Sequence, residues 1–296
     1  MRSFPPDVIV LDRESILHVR LGRGMKNPQI VNAKQYRLAS ETFVDSIVTP
    51  ELMNEGALAE TLRRLRMESG RWDKASLLLP DSWFRMNILD VPSLPDRASE
   101  ALEIVRWSLR RTLPIPAESL RISYDVLSRT GRAAKLLVVS AVEKTLAAIE
   151  RQFAAVGIDV ILVESTGLNI WNAIAVREQT VADRLFLYIR DTDFTTAVFR
   201  GSQPVFLRSR NLSVDRPLQQ ELRLSATYLR DSIGAESFDT CFVAGSGATP
   251  EVRAVLATEF NAPVRMVSLR DYAENAPVEL AHAEAELTAC TGVFTA

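Results

Sequence analysis

Apolar and polar positions alternate in three short runs near the start of the chain: VIVLD, SILHVRLG and QIVNAKQYRL. The same rhythm returns half a chain later in RLFLYI, TTAVFRG and PVFLRSR. A period of two residues predicts strands, so each triplet reads as a meander joined by tight turns. After the first meander, Leu52, Leu58, Leu62 and Leu65 fall at helical spacing. They predict a helix opening at Thr49-Pro50 and running to about Glu68, followed by a buried strand over Ala75–Leu79. After the second meander come a predicted helix from about Val214 to Ile233 and the strand TCFVAG. A helix over Glu251–Phe260, the short strand VRMV and a closing helix complete the chain. One α/β pattern written twice predicts two lobes with a cleft between them.

The first copy carries an insertion at about residues 81–133. WFRMNILDVP reads as a strand, and Leu94-Pro95-Asp96 stops the chain and caps a helix from about Arg97 to Thr112. Its apolar stripe is Ala98, Ala101, Leu102, Val105 and Leu109, while Ile104 and Trp107 fall off that stripe. LPIP breaks the helix, because proline lacks an N–H and restricts its predecessor. SLRISYDVLS and AKLLVVSAV form a hairpin around Arg129–Arg132. A helix over Glu143–Val156 then stops at Gly157, the strand DVILVE follows, and Ser165–Val176 is helical. The boundary between lobes is placed near Val176–Asp183, giving a first lobe over 1–176 and a second over 177–296.

A net charge of −2 removes the electrostatic reason to expect nucleic acid, although Arg106, Arg110 and Arg111 cluster locally. Cys241 and Cys290 are the only cysteines, and His18 and His282 the only histidines, so neither a disulfide framework nor a zinc cluster is expected. No run approaches the roughly 20 apolar residues of a membrane helix. Beyond Arg270 the chain has no Lys or Arg but five acidic residues between Asp271 and Glu286. An anionic membrane surface would repel that tail, so direct insertion is not expected and attachment would go through a partner. The motifs G-x-S-x-G, GxxxxGKS and HExxH are absent.

The insertion LLLPDSWFRMNILDVPSLPD followed by ALEIVRWSLRRTLPIPAESLRISYDVL resembles the actin-like pilus-assembly proteins of the PilM family. VVSAVEKTLAAIERQFAAVGIDVILVESTGLNIWNAI, PVFLRSRNL, VAGSGA and ELTACTGVFTA extend the resemblance over nearly the whole chain. The resemblance implies an actin-like, ribonuclease H-like duplicated fold with an inserted α+β subdomain in the first lobe. It implies a cytoplasmic protein of type IV pilus machinery, peripheral to the inner membrane. Its partner would be the N-terminal cytoplasmic tail of a PilN-like bitopic membrane protein; self-association is left open.

The family's nucleotide site supplies candidate residues. Asp12, Arg13 and Ser15 stand at the first phosphate turn, Asp191 and Thr195 at the second, and Gly245, Ser246 and Gly247 at the adenosine turn. Glycine is wanted at phosphate turns because the backbone must come close and turn tightly. Neither phosphate turn has one: Arg13 and Glu14 fill the first, and Tyr188 and Arg190 stand at the second. ATP with Mg²⁺ is therefore expected to bind weakly or not at all, with no catalytic residues and turnover not expected. Phe84, Ile104, Trp107, Arg110 and Ile115 are the candidate partner contacts, in a groove between the insertion and the main sheet. Three readings compete: a scaffold of the pilus assembly platform, an active ATPase driving assembly, and the cytoplasmic domain of a type II secretion component. The last class usually continues into a membrane helix, and this chain ends at Ala296.

Overall fold

The computed structural model describes residues 4–44, 51–113, 115–234 and 237–295. The first lobe is a five-stranded sheet built from β1 (Asp7–Leu11), β2 (Ser15–Arg23) and β3 (Pro28–Arg37), then β6 (Lys74–Leu79) and β10 (Asp159–Ser165), ordered β10-β6-β1-β2-β3. Between them lie a small ribbon, β4 (Phe43–Val44) with β5 (Glu51–Leu52), and helix α1 (Glu55–Glu68). That helix begins at Asn54, whose side chain accepts from Ala57 N at 3.0 Å. The expected start at Thr49-Pro50 lies outside the described residues, and the cap five residues later sets the true start, because Asx side chains satisfy the free N–H groups there.

The insertion is β7 (Arg85–Val91), α2 (Ala98–Arg110), β8 (Leu120–Thr130) and β9 (Ala133–Val142), in a three-stranded sheet ordered β7-β9-β8. It runs beyond residue 133, because β9 stays paired with β7 as far as Ser140 and with β8 as far as Val142. Helix α3 (Glu143–Ala155) leads into β10, and Gly157 (φ 76°) makes the left-handed turn after it. Helix α4 (Thr166–Ala175) closes the lobe, capped by Ser165 Oγ accepting from Leu168 N.

The second lobe repeats the plan. β11 (Asp183–Ile189), β12 (Asp193–Arg200), β13 (Gln203–Asn211), β14 (Thr240–Ala244) and β15 (Val264–Met266) are ordered β13-β12-β11-β14-β15. Helix α5 (Leu218–Tyr228) continues as a wider helical turn through Leu229–Ile233 and starts four residues later than the pattern predicts. Pro217 is the reason: it stands just before the first helical residue, after a turn over Ser213–Arg216. Helix α6 (Pro250–Glu259) and helix α7 (Glu284–Thr295) complete the lobe.

Both central strands, β1 and β11, are buried throughout or nearly so, which explains their continuous apolar runs. One sheet face of the first lobe packs on α1 and α3, and the matching face of the second on α5 and α6. The two inner faces share a core with α4 and α7 between them. There Gly292 lies against the Asn169 carbonyl so closely that a Cβ would fall 1.8 Å from it. His18, expected in a strand, is buried: it bonds Asp7 at 2.8 Å and stacks on Trp72.

Candidate functional site

The β1–β2 turn and the β11–β12 turn meet across the cleft, and they are built alike. Asp12 N donates to Ser15 O at 2.9 Å, and Arg190 N donates to Asp193 O at 2.8 Å. Leu38 N donates to Glu14 O at 2.7 Å, and Leu212 N to Thr192 O at 2.8 Å. Asp12 and Arg190 thus hold the same position in the two copies. Neither turn has a residue of positive φ, so neither requires glycine.

The equivalent residues carry opposite charge and pair. Arg190 Nη2 lies 3.3 Å from Asp12 Oδ1 and 3.5 Å from Asp193 Oδ2. The Arg190 side chain is 12% exposed and that of Asp193 only 3%. Burial works against the charge on Arg190, but Asp12, Asp193 and Glu286 outweigh it and hold the guanidinium pKa above its ordinary value. Beneath this pair, the Tyr188 hydroxyl donates to Glu286 Oε1 at 3.0 Å. Burial raises the pKa of both groups, which keeps the phenol a donor.

Asp81 lies fully buried beside the second turn. Ser165 Oγ donates to its Oδ1 at 2.6 Å and Gly167 N at 2.7 Å. Burial pushes its carboxyl pKa up, and those hydrogen bonds offset part of the rise. Ser82 Oγ reaches across the lobes to Asp193 Oδ2 at 3.4 Å.

The candidate residues have separate fates. Asp12 pairs with Arg190, and Asp191 is exposed, with Ser246 Oγ donating to its Oδ1 at 3.0 Å. Arg13 N closes onto Asp12 Oδ1 at 2.7 Å. Ser15 accepts from Gln35 and Thr195 bonds Ser209, each within its own sheet. Gly245 (φ 102°) and Gly247 abut Ile189, where a Cβ on either would come within 2.5 Å of it. Those two glycines therefore answer to strand packing. A phosphate with Mg²⁺ between the turns would need open space beside the two carboxylates. The Arg190 guanidinium stands there instead, so the residues present do not fit that group. Among the described residues no three His, Cys, Asp or Glu side chains are grouped to hold a metal ion. The Arg190 pairing and the Asp81 network were not legible beforehand. Opposite charges at equivalent positions of a repeated turn were the one available signal.

A second cleft, of about 390 Å³, lies between the insertion and the first lobe. β8 is the edge strand of the inserted sheet and β10 the edge strand of the main sheet, and they face each other across it. Ser123, Asp125 and Leu127 line one wall; Leu162, Val163 and Glu164 line the other. Leu137 and Leu168 add apolar surface, and Phe199 and Pro204 of the second lobe close one end. Burial raises the Glu164 pKa and Asp125 adds to the rise, while Asn169 Nδ2 at 2.8 Å offsets it in part.

None of the five candidate partner contacts lines this cleft. Helix α2 packs on the opposite face of the inserted sheet, over Leu136 and Val138, whereas Leu137 and Val139 face the cleft. The alternation of β9 separates the two faces, so a residue on α2 cannot reach the groove. Phe84 is 5% exposed and belongs to the first-lobe core. Ile104 packs partly on the inserted core, and Ile115 is half-buried. Arg110 pairs with Glu118, and Trp107, 56% exposed, stacks with Arg111.

No family model matches the chain, and no curated protein matches it. Solved structures do. A chain of a PilM–PilN type IV pilus biogenesis complex superposes with a TM-score of 0.82 at 16% identity, over 99% of this chain and 98% of that one. A Bacteroides thetaiotaomicron protein with an actin-like ATPase fold superposes at 0.56 with 12% identity, over 95% of each chain. The cytoplasmic domain of EpsL, an inner-membrane component of the type II secretion system of Vibrio cholerae, superposes at 0.53 with 13% identity, over 98% and 94%. The fold is therefore the two-lobed actin-like α/β fold.

Proposed function

We propose that this protein is a scaffold of a type IV pilus or related secretion assembly platform. It binds an extended segment of a PilN-like membrane protein in the cleft between β8 and β10. The carrying observation is that the edge strands of two sheets, β8 and β10, face one another across a groove lined by both apolar and polar side chains. An extended chain laid there gains main-chain hydrogen bonds and pockets for alternate side chains. The likeness to a chain of a PilM–PilN complex supports a partner of that kind. Asp125 and Glu164 favour a basic or amide side chain on the incoming segment. In this reading the protein is cytoplasmic and the partner supplies its attachment to the inner membrane; among the described residues no helix is long and apolar enough to cross a membrane. Nucleotide takes little part in this reading: glycine is missing from both phosphate turns, and Arg190 stands between their carboxylates.

The test is calorimetric titration with the N-terminal cytoplasmic peptide of the membrane protein encoded beside this chain. Leu137→Glu puts a charge in the groove and is expected to weaken binding at least tenfold, about 1.4 kcal/mol. Trp107→Ala and Arg110→Glu, on the far face, are expected to leave it unchanged. The reverse result would move the partner onto α2. A parallel titration with Mg·ATP is expected to show no binding at low micromolar concentration; tight binding would favour the ATPase reading.

A further inference from the structure

We infer that Arg190 does the work of a bound cation, tying the second lobe to Asp12 of the first so that the cleft stays closed with no nucleotide in it. Four features of the structure carry this. Arg190 sits at the position equivalent to Asp12, so each copy of one turn offers one partner of the pair. Its guanidinium reaches carboxylates of both turns, at 3.3 and 3.5 Å, and is nearly buried. Asp193, the second of these, is itself held from the first lobe through Ser82 Oγ. Below the pair, Tyr188 of the second lobe's central strand and Glu286 of α7 bond each other and close the floor.

A ligand held between two lobes can draw them together only while it is bound. Such a ligand dissociates, and closure then follows its concentration. A side chain does not dissociate. The bridge formed by Arg190 is present at every nucleotide concentration, so the lobes of this protein hold one relative placement. The second-lobe hairpin end at Phe199 and Pro204, which closes one end of the β8–β10 cleft, is held in place by the same closure. The inference does not depend on what occupies that cleft.

The test measures the separation of the lobes directly. Spin labels on cysteines placed at Glu60 of α1 and Ala254 of α6, both exposed, report the distance by pulsed electron resonance; the native cysteines are buried. The wild-type distance distribution is expected to be narrow and unchanged by Mg·ATP. Arg190→Met is expected to broaden it toward longer distances and to lower Tm by about 5 °C or more, because Asp12 and Asp193 lose their counter-ion. Arg190→Lys keeps the charge and is expected to remain close to wild type. Should Arg190→Met fail to fold, Asp12→Asn, which leaves the Asp193 contact intact, is expected to show the same broadening in smaller degree. Three results would overturn the inference: a wild-type distribution that narrows on adding Mg·ATP, an Arg190→Met or Asp12→Asn variant as closed and as stable as wild type, or an Arg190→Lys variant as open as Arg190→Met.

Discussion

In the first lobe the turn after the central strand carries Asp12; in the second the equivalent position carries Arg190. The backbone hydrogen bonds of the two turns match pair for pair, down to the bond from Leu38 in one and Leu212 in the other. The sheets have the same strand order as well. The copies differ where they face each other and where one has grown: the first lobe holds an inserted sheet and helix between β6 and β10, while the second has only α6 at that point. Backbone pairing fixes the plan of a lobe, because every buried N–H and C=O must be satisfied. Side chains at the meeting surface are free of that demand and have diverged into complementary charge.

The sharpest way to break the likeness is at the crossing of α4 and α7, where equivalent helices of the two lobes touch. Gly→Ala inside a helix ordinarily stabilises by up to about 1 kcal/mol. At Gly292 the sign is expected to reverse, with a loss of more than about 3 kcal/mol, because the new methyl meets the Asn169 backbone at 1.8 Å. Chemical denaturation of Gly292→Ala checks this; a stabilised variant would show that the helices can part at no cost.

Asp81 belongs to the first copy alone, at the start of the insertion. Asp81→Ala strips Ser165 Oγ and Gly167 N of their acceptor and is expected to cost about 2 to 3 kcal/mol. Asp81→Asn keeps an acceptor and loses the charge. Because burial raises the folded pKa of Asp81 above the unfolded value of about 4, its ionisation costs stability. That cost is absent below about pH 4 and grows as pH rises through the raised folded pKa. Wild type is therefore expected to lose stability relative to Asp81→Asn as pH is raised from about 4, the unfolded value, in urea titrations; parallel curves would refute the assignment.

The smallest effects compare two ion pairs at the open ends of the two first hairpins. Arg20 grips the buried carboxylate of Asp7 in the first lobe, while Arg200 grips the more open Asp183 in the second. Burial alone would raise the Asp7 pKa, but bonds from His18 and Arg20 outweigh it and leave the value lowered. Its contribution is thus present above about pH 4 and lost as pH falls through the lowered folded pKa. Asp7→Ala is expected to cost about 2 kcal/mol at pH 7, with the difference from wild type shrinking in acid. Asp183→Ala is expected to cost under about 1 kcal/mol and to be sensitive to salt. Equal costs at both sites would mean that burial does not distinguish the pairs.

The meanders, the helices behind them and the inserted α+β unit were legible in the sequence because period-2 and period-3.6 patterns are local properties of a chain burying one face. Element starts were less legible where a single cap decides them, at Asn54 for α1 and Pro217 for α5. The glycine-free turns could also be read as poor phosphate grips. What fills the space between them could not, since Asp12 and Arg190 are 178 residues apart in sequence.

By itself, then, the sequence determined two copies of an α/β unit, the insertion in the first, and the absence of glycine from the turn after each central strand. Those features follow from hydrophobic period and turn chemistry, which act over a few residues. Only the tertiary structure decided that the odd arginine in one turn answers the aspartate in the other. It alone also set Gly245 and Gly247 against Ile189, and turned α2 to the far side of the inserted sheet from the β8–β10 groove. Each of these depends on which faces meet across the fold, and a strand's alternation states that it has two faces without stating what lies against each.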